Sequence, residues 1–206
     1  MDKQKTPIAV LVSGRGTNLD ALLTACEEPK YPAEVVAVVS NNPHSQALAK
    51  AREKGVRTII IDHKDFSSRE EHEKAIVTAL SEQNVRLIVL AGYMRILSKY
   101  IINQYPNAII NIHPALLPAF KGLNAQKQAL EYGVKVTGAT THFVDTEMDH
   151  GPIIIQRSVA VLDHDTEDSL AQRILKVEHE ILPESVALFC QDRLEVRGRK
   201  VVVRGV

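Results

Sequence analysis

The chain reads as an α/β protein built on an open, doubly wound, mostly parallel sheet with an antiparallel C-terminal portion. Three observations predict this. Short continuous apolar runs such as Ile8-Ala9-Val10-Leu11-Val12 suit strands buried on both faces. Apolar residues at helical spacing follow such runs, giving four strand-then-helix cycles with short joints, and these demand right-handed crossovers within one sheet. Beyond His113 the rhythm changes: Val136 to Val144 and Ile153 to Val161 look like strands with no helix between them, an antiparallel edge.

The first cycle is the strand Ile8 to Val12, a break at Ser13-Gly14-Arg15-Gly16-Thr17-Asn18, and a helix that opens with Leu19-Asp20-Ala21-Leu22-Leu23 and ends near Pro29. The second has strand Val35 to Val39, the polar turn Ser40-Asn41-Asn42-Pro43, and a helix through Ala47, Ala51 and Lys54 that Gly55 caps. Strand Thr58 to Ile61 opens the third. Ser67 with Glu70 forms a capping box for the next helix, whose inward face is Ile76, Ala79 and Leu80. Val85 to Ala91 is another buried strand, Gly92 to Leu97 leads toward a short helical piece, and Ala108 to His113 forms the strand after it. Gln126 to Tyr132 reads as helix. Asp165 or Thr166 caps the last long helix, which carries the inward stripe Leu170, Ile174, Val177 and Ile181 until Pro183 kinks or interrupts it. The tail from Arg193 alternates like a hairpin and carries Arg193, Arg197, Arg199, Lys200 and Arg204 against Glu195, a solvated basic edge.

At 206 residues the chain can bury a core and fits one domain or at most two, one being the default. Hydrophobic residues make up 45% and charged residues 24%, the balance of a globular protein rather than a disordered one. Lys plus Arg and Asp plus Glu each total 25, so no broad basic field exists to hold a phosphate backbone, and no nucleic-acid partner is expected. The polar start Met1-Asp2-Lys3-Gln4-Lys5 leads into the first strand without an apolar segment of signal-peptide length, and no stretch approaches a membrane span. Cys26 and Cys190 lack C-x-x-C spacing and read as free thiols in a reducing cytoplasm.

The chemistry concentrates at Asn111-Ile112-His113-Pro114. Alternate side chains of a strand share a face, so Asn111 and His113 point one way while Ile110 and Ile112 point the other. Pro114 ends the ladder and leaves the last residues open to a ligand. The Asp149-His150-Gly151-Pro152 turn can place a carboxylate beside them. An Asn donor and a His kept protonated by Asp149 form a set suited to acyl transfer, whereas a satisfied histidine at a strand end is the plainer reading. The glycine loop follows a strand and opens a helix, a context for phosphate or for a tight turn without ligand. With no third glycine and no carboxylate at Ser40-Asn41-Asn42, it points away from a dinucleotide and toward a smaller phosphorylated substrate.

Other polar residues are less decisive. His113, His142, His150, Asp145 and Asp149 are candidate metal ligands without H-x-H or H-x₃-H spacing, so no metal is expected. Serine hydrolysis lacks a G-x-S-x-G elbow. Glu178, four residues after Ile174 and three before Ile181, shares the inward face of its helix, where a carboxylate needs sugar hydroxyls or an arginine. Arg69, in the first turn of its helix, is either solvated or reaches an anionic ligand.

The chain resembles the phosphoribosylglycinamide formyltransferase family, the folate-dependent transformylases of purine synthesis, across nearly its whole length. The matching stretches are Ser13 to Asn18, Ala91 to Leu97, Asn111-Ile112-His113-Pro114-Ala115-Leu116-Leu117-Pro118, Thr141-His142-Phe143-Val144-Asp145, Asp149 to Pro152, and Glu178-His179. The resemblance implies one Rossmann-like formyltransferase domain over 1–206, with a phosphate-binding half at 1–105 and a catalytic, folate-binding half at 106–206. It implies transfer of the formyl group of the co-substrate 10-formyltetrahydrofolate to the amine of 5'-phosphoribosylglycinamide in de novo purine (IMP) biosynthesis, by a cytoplasmic monomer or homodimer. Position by position, it makes Asn111, His113 and Asp149 the catalytic trio, Gly16, Thr17 and Asn18 the substrate-phosphate loop, and Glu178 the carboxylate on the substrate ribose. Arg69, Met94, Arg95, Ile96 and Leu97, with Asn111, fall where the family contacts the formyl-folate. Thr17 and Ala115 stand where serine is frequent, and Lys121 where proline is frequent.

Two related families share this core. Methionyl-tRNA formyltransferases carry a C-terminal tRNA-contacting domain and formyltetrahydrofolate hydrolases an N-terminal regulatory one. Here a short basic tail follows the last helix and the first strand begins at Ile8, so length favours the glycinamide ribonucleotide family. Formyl-folate hydrolysis and non-catalytic binding of a phosphate ligand are the alternatives.

Overall fold

The computed structural model describes residues 5–205. The elements are β1 (Thr6–Val12), α1 (Thr17–Glu27), β2 (Ala33–Ser40), α2 (Gln46–Glu53), β3 (Thr58–Ile60), α3 (Arg69–Ser81), β4 (Leu87–Leu90), α4 (Lys99–Gln104) and β5 (Ile109–His113). There follow α5 (Ala125–Tyr132), β6 (Val136–Phe143), β7 (Ile153–Ala160), α6 (Glu167–Cys190), β8 (Leu194–Arg197) and β9 (Lys200–Val203). Among the described residues nine strands join one sheet in the order β3-β2-β1-β4-β5-β6-β7-β9-β8. The first five are parallel; β6 and β7 pair antiparallel, as the absence of a helix between them predicts, and β6 also pairs antiparallel with β5. The C-terminal hairpin extends the sheet through β9, which meets β7 at the single pair Ile153 and Lys200.

The strand period divides the core. Ile8, Val10 and Val12 of β1 pack into a cluster with Leu19, Leu22 and Leu23 of α1, Ala47 and Ala51 of α2, and Leu170, Ile174 and Ile181 of α6. Ala9 and Leu11, pointing the other way, join Ile76 and Leu80 of α3 with Leu97, just before α4, and Ile101 of α4. Burial of apolar surface on both faces of the sheet holds the layers together. In β5 the same alternation sends Ile110 and Ile112 into the first cluster and Ile109 into the second, so Asn111 and His113 lie on the face of Ile109.

This topology puts the reversal of strand order between β1 and β4, the place where open α/β sheets bind ligands beyond the carboxyl ends of their strands. The segments leaving those two strands are tied together there. The Ser13 N–H donates to the Gly92 carbonyl at 3.2 Å, and Ser13 Oγ accepts from the Met94 N–H at 2.9 Å.

Three local expectations need correction. Ser68, not Ser67, caps α3: its hydroxyl accepts from the Glu71 N–H, while Ser67 N–H and Oγ both donate to Glu71 Oε2 at 3.2 and 2.5 Å. Extended backbone at Ser68 moves the cap one residue on, so the reciprocal carboxylate is Glu71. Pro183 does not interrupt α6, which runs for 24 residues through it. The missing N–H costs a helical hydrogen bond, but Ile181, Leu182, Ser185 and Val186 on either side are buried, and Tyr31 Oη donates to the Pro183 carbonyl at 2.8 Å. Along α3, Ala79 is only half-buried and the polar His72 and Glu73 take the interior. Glu73 earns its place by accepting from the Ser98 N–H at 2.7 Å and from the Ser98 hydroxyl, which anchors the chain between β4 and α4.

Candidate active site

The structure brings Asn111, His113 and Asp149 together, although 36 residues separate the last two. Asp149 Oδ2 lies 3.3 Å from His113 Nδ1 and accepts from the Gly122 N–H at 2.8 Å. Asp149 Oδ1 faces Asn111 Nδ2 at 3.5 Å. The carboxylate is delivered by the loop between β6 and β7, where Asp149 takes a left-handed backbone (φ 49°), a conformation Asp tolerates better than most residues. Gly151 is what lets that loop lie against the sheet: a Cβ there would sit 1.8 Å from the Phe143 carbonyl oxygen.

A second histidine, given no catalytic role by the sequence, belongs to the cluster. β5 and β6 pair so that His142 stands opposite Asn111. His142 Nδ1 lies 2.8 Å from the Phe143 carbonyl, an acceptor, so this nitrogen carries the proton. Burial pushes the ring's pKa below the ordinary histidine value, which keeps it neutral. Nε2 is then an acceptor, and Asn111 Nδ2 donates to it at 3.2 Å. His142 thereby fixes which end of the Asn111 carboxamide is the donor. The second Asn111 proton is held only by the 3.5 Å contact to Asp149, a long bond that a better acceptor could displace.

His113 is less open than a strand end suggests, being 4% exposed. Residues after Pro114 fold back over it: Phe120, in a left-handed conformation (φ 53°), turns its carbonyl to within 2.9 Å of His113 Nε2. Both ring nitrogens therefore face oxygen acceptors, the Phe120 carbonyl at 2.9 Å and the Asp149 carboxylate at 3.3 Å. Nothing in the local sequence indicates this cover, which arises from tertiary folding of the segment that also supplies the Gly122 N–H.

The glycine loop is shaped by α2. Gly16 begins α1 with φ 76° and no side-chain cap, and a Cβ there would fall 2.6 Å from Ala47 Cβ. The Gly14 carbonyl accepts from the Ala47 N–H at 3.2 Å and from Ser45 Oγ at 2.8 Å, which clamps the loop on that helix. First-turn N–H groups without a side-chain cap and the positive end of the helix dipole give this helix start the chemistry to accept an anion. Asn18 is buried; its Nδ2 donates to Glu178 Oε2 at 2.7 Å, while its Oδ1 is buried without a partner among the described residues. The expected inward Glu178 is thus confirmed in position, 7% exposed, with an asparagine rather than an arginine as partner.

Burial raises the Glu178 pKa, and the Asn18 hydrogen bond only partly offsets it. The folded protein therefore holds this proton to higher pH than the unfolded chain. Stability contributed by the protonated group is complete below its ordinary value of 4.5 and is lost as pH rises through the folded value. Glu178→Gln keeps an acceptor for Asn18 and removes the titration. We expect urea melts across this range to show a fall in wild-type stability with pH that the Gln variant lacks; parallel profiles would contradict it.

Between β4 and α4 the expected ligand segment divides by residue. Met94 and Ile96 are 68% and 51% exposed, an apolar shelf, and Arg95 Nε is buried without a partner among the described residues. Leu97 instead packs in the second core cluster, so its side chain is not on the surface. Arg69, the first residue of α3, is exposed, and no hydrogen bond or ion pair joins it to the trio among the described residues.

A strand-end asparagine and histidine, joined to a carboxylate from a D-x-G-P turn and set in a doubly wound sheet, define a class. The chain belongs to the formyl transferase family, whose pattern it matches over residues 6–186. Within that family it is similar to phosphoribosylglycinamide formyltransferase of Escherichia coli (strain K12), 39% identical over 189 residues, 92% of this chain and 89% of that protein. It is also 46% identical over 192 residues to the trifunctional purine biosynthetic protein adenosine-3 of Gallus gallus, covering 93% of this chain but 19% of that protein. The chain thus spans about a fifth of the length of that curated relative. Among solved structures, glycinamide ribonucleotide transformylase 1 from Symbiobacterium toebii superposes with a TM-score of 0.95 at 46% identity, covering 97% of this chain and 94% of that one. A formyltetrahydrofolate deformylase from Pseudomonas syringae pv. tomato has a TM-score of 0.91 at 28% identity, covering 98% and 67%.

Proposed function

We propose that the chain transfers the formyl group of 10-formyltetrahydrofolate to the amine of 5'-phosphoribosylglycinamide, a step of purine nucleotide synthesis. The observation that carries this reading is the junction of His113, Asp149 and Asn111 in a sheet whose first loop opens a helix without a side-chain cap. The similarity to a phosphoribosylglycinamide formyltransferase and to a glycinamide ribonucleotide transformylase over nearly the whole chain supports it. The deformylase is the rival, less similar and with water in place of the amine.

The residues divide the work. Gly16, Thr17 and Asn18 hold the substrate phosphate at the start of α1, and Glu178, tied to Asn18, takes the ribose hydroxyls. Folate fits the segment after β4: Met94 and Ile96 offer apolar surface to a ring, the orphaned Arg95 Nε needs an acceptor, and Leu97 contributes backbone alone. Arg69 is exposed and free to meet the carboxylates of the same ligand. The phosphate-binding role falls in residues 1–105, the chemistry in 106–206.

At the reacting centre, cationic His113 and the loosely held Asn111 N–H stabilise negative charge on the formyl oxygen as the amine attacks. Asp149 holds the imidazolium and relays the amine proton toward the leaving nitrogen N10 of the folate. For Nε2–H of His113 to reach the formyl oxygen it must leave the Phe120 carbonyl, so the cover over His113 moves when substrates bind. No metal is required for these steps. The reading carries with it small-molecule partners alone, a cytoplasmic setting, and a monomer or homodimer.

Folate release measured with and without the nucleotide tests the reaction: dependence on the nucleotide supports transfer, and release that ignores it favours the hydrolase. The phosphate assignment has its own test. Gly16→Ala forces a Cβ into Ala47 at a left-handed position, so we expect KM for the nucleotide to rise about tenfold or more, with a smaller effect on kcat. An unchanged KM would remove the loop from the site.

A further inference from the structure

The basic C-terminal hairpin has no part in the reaction described above. Most of its charge is spent within it: Arg197 and Arg204 pair with Glu195, and Arg193 donates to the carbonyls of Arg204 and Gly205. Arg199, in the turn between β8 and β9, reaches out instead. Its Nη1 lies 3.1 Å from Nδ1 and 3.2 Å from Nε2 of His150, and 3.9 Å from Asp145 Oδ2. The guanidinium thus sits against the imidazole on one side, while His150 Nδ1 donates to Asp145 Oδ2 at 2.7 Å on the other.

We propose that Arg199 is a positioning residue for Asp149, acting through His150 and Asp145. His150 directly follows Asp149 in the chain. Its clamp between Asp145 within the loop and Arg199 outside it fixes the backbone at a residue held in a left-handed conformation, which sets where the Asp149 carboxylate points. The ends of the loop are already joined by the Phe143 N–H to the Pro152 carbonyl at 2.9 Å, and β9 meets β7 at Ile153 and Lys200, next to Arg199. The hairpin is thus docked where the loop enters β7. Supporting groups of this kind, which hold a reacting side chain's orientation, act on rate rather than on substrate affinity.

The inference rests on the formyl-transfer reading, so its test has one arm that does not use turnover. Arg199→Met keeps the stem and removes the charge. In the substrate-free protein, the imidazole ¹H–¹⁵N resonances of His113 should shift in this variant, because the carboxylate beside Nδ1 moves; unchanged resonances would overturn the proposal whatever the protein catalyses. In the transferase assay, with wild type as control for the reaction itself, kcat should fall about 5- to 10-fold with KM for the nucleotide unchanged. In an Asp149→Asn background the same substitution should have no further effect, since it acts through that carboxylate. An equal loss in both backgrounds, or none in either, would make Arg199 a surface tie and nothing more. Asp145→Asn, which weakens the same clamp from within the loop, goes through the same cycle and decides the question if Arg199→Met does not fold.

Discussion

His113→Ala is expected to lower kcat about 10²- to 10³-fold, the cost of losing one donor to a developing oxyanion. KM for the nucleotide should stay within about threefold, because the proposed phosphate loop follows another strand and shares no side chain with the histidine. The ring is nearly buried and its two nitrogens engage Asp149 and the Phe120 carbonyl, so its removal also leaves Asp149 with the Gly122 N–H as its close remaining donor. That loss should cost about 1–3 kcal/mol of stability, which a melting curve reads separately from the rate. Steady-state kinetics on a folded variant with near-wild-type kcat would end the assignment of His113.

Gly151→Ala is expected to be nearly as severe, with no change to any polar group. The added methyl would meet the Phe143 carbonyl oxygen at 1.8 Å and its carbon at 2.8 Å, both backbone atoms of β6 that cannot rotate away. Either the strand or the loop must shift, and the loop carries Asp149 two residues earlier. We expect kcat to fall about 10-fold to 10²-fold through misplacement of the carboxylate, with a stability loss of about 1–3 kcal/mol. Kinetics and denaturant melts together check this. A variant with normal rate would mean that the position of the loop does not matter to the chemistry.

These expectations show where local sequence ends as a guide. The period of two along Asn111-Ile112-His113 was enough to put both polar groups on one face, and the inward placement of Glu178 follows from helical spacing alone. Both are properties of a single element. His142 entered the site through the register of β6 on β5, a pairing of distant segments that no local period encodes. Its placement opposite Asn111 could have been sought once an antiparallel β6 was expected beside β5, but not the one residue in eight that would face it. The cover over His113 depends on left-handed backbone at Phe120, a residue type that does not advertise it. Glu73 was hidden for the converse reason: a carboxylate on a helix reads as solvated until the Ser98 cap it serves is seen. At Pro183 the packing on both sides of the residue outweighs the local penalty of a helical proline, and that packing is tertiary. The roles given to Gly16, Thr17, Asn18, Met94, Arg95 and Ile96 rest on the family resemblance as well as on geometry.

The central claim is that an amine, not water, receives the formyl carbon, and following that carbon tests it most directly. The purified protein is given formyl-folate labelled with ¹³C in the formyl group, together with glycinamide ribonucleotide, and products are read by mass spectrometry. We predict that the label appears in N-formylglycinamide ribonucleotide in step with folate release. Label recovered as free formate at the same rate, with the nucleotide unchanged, would contradict the account.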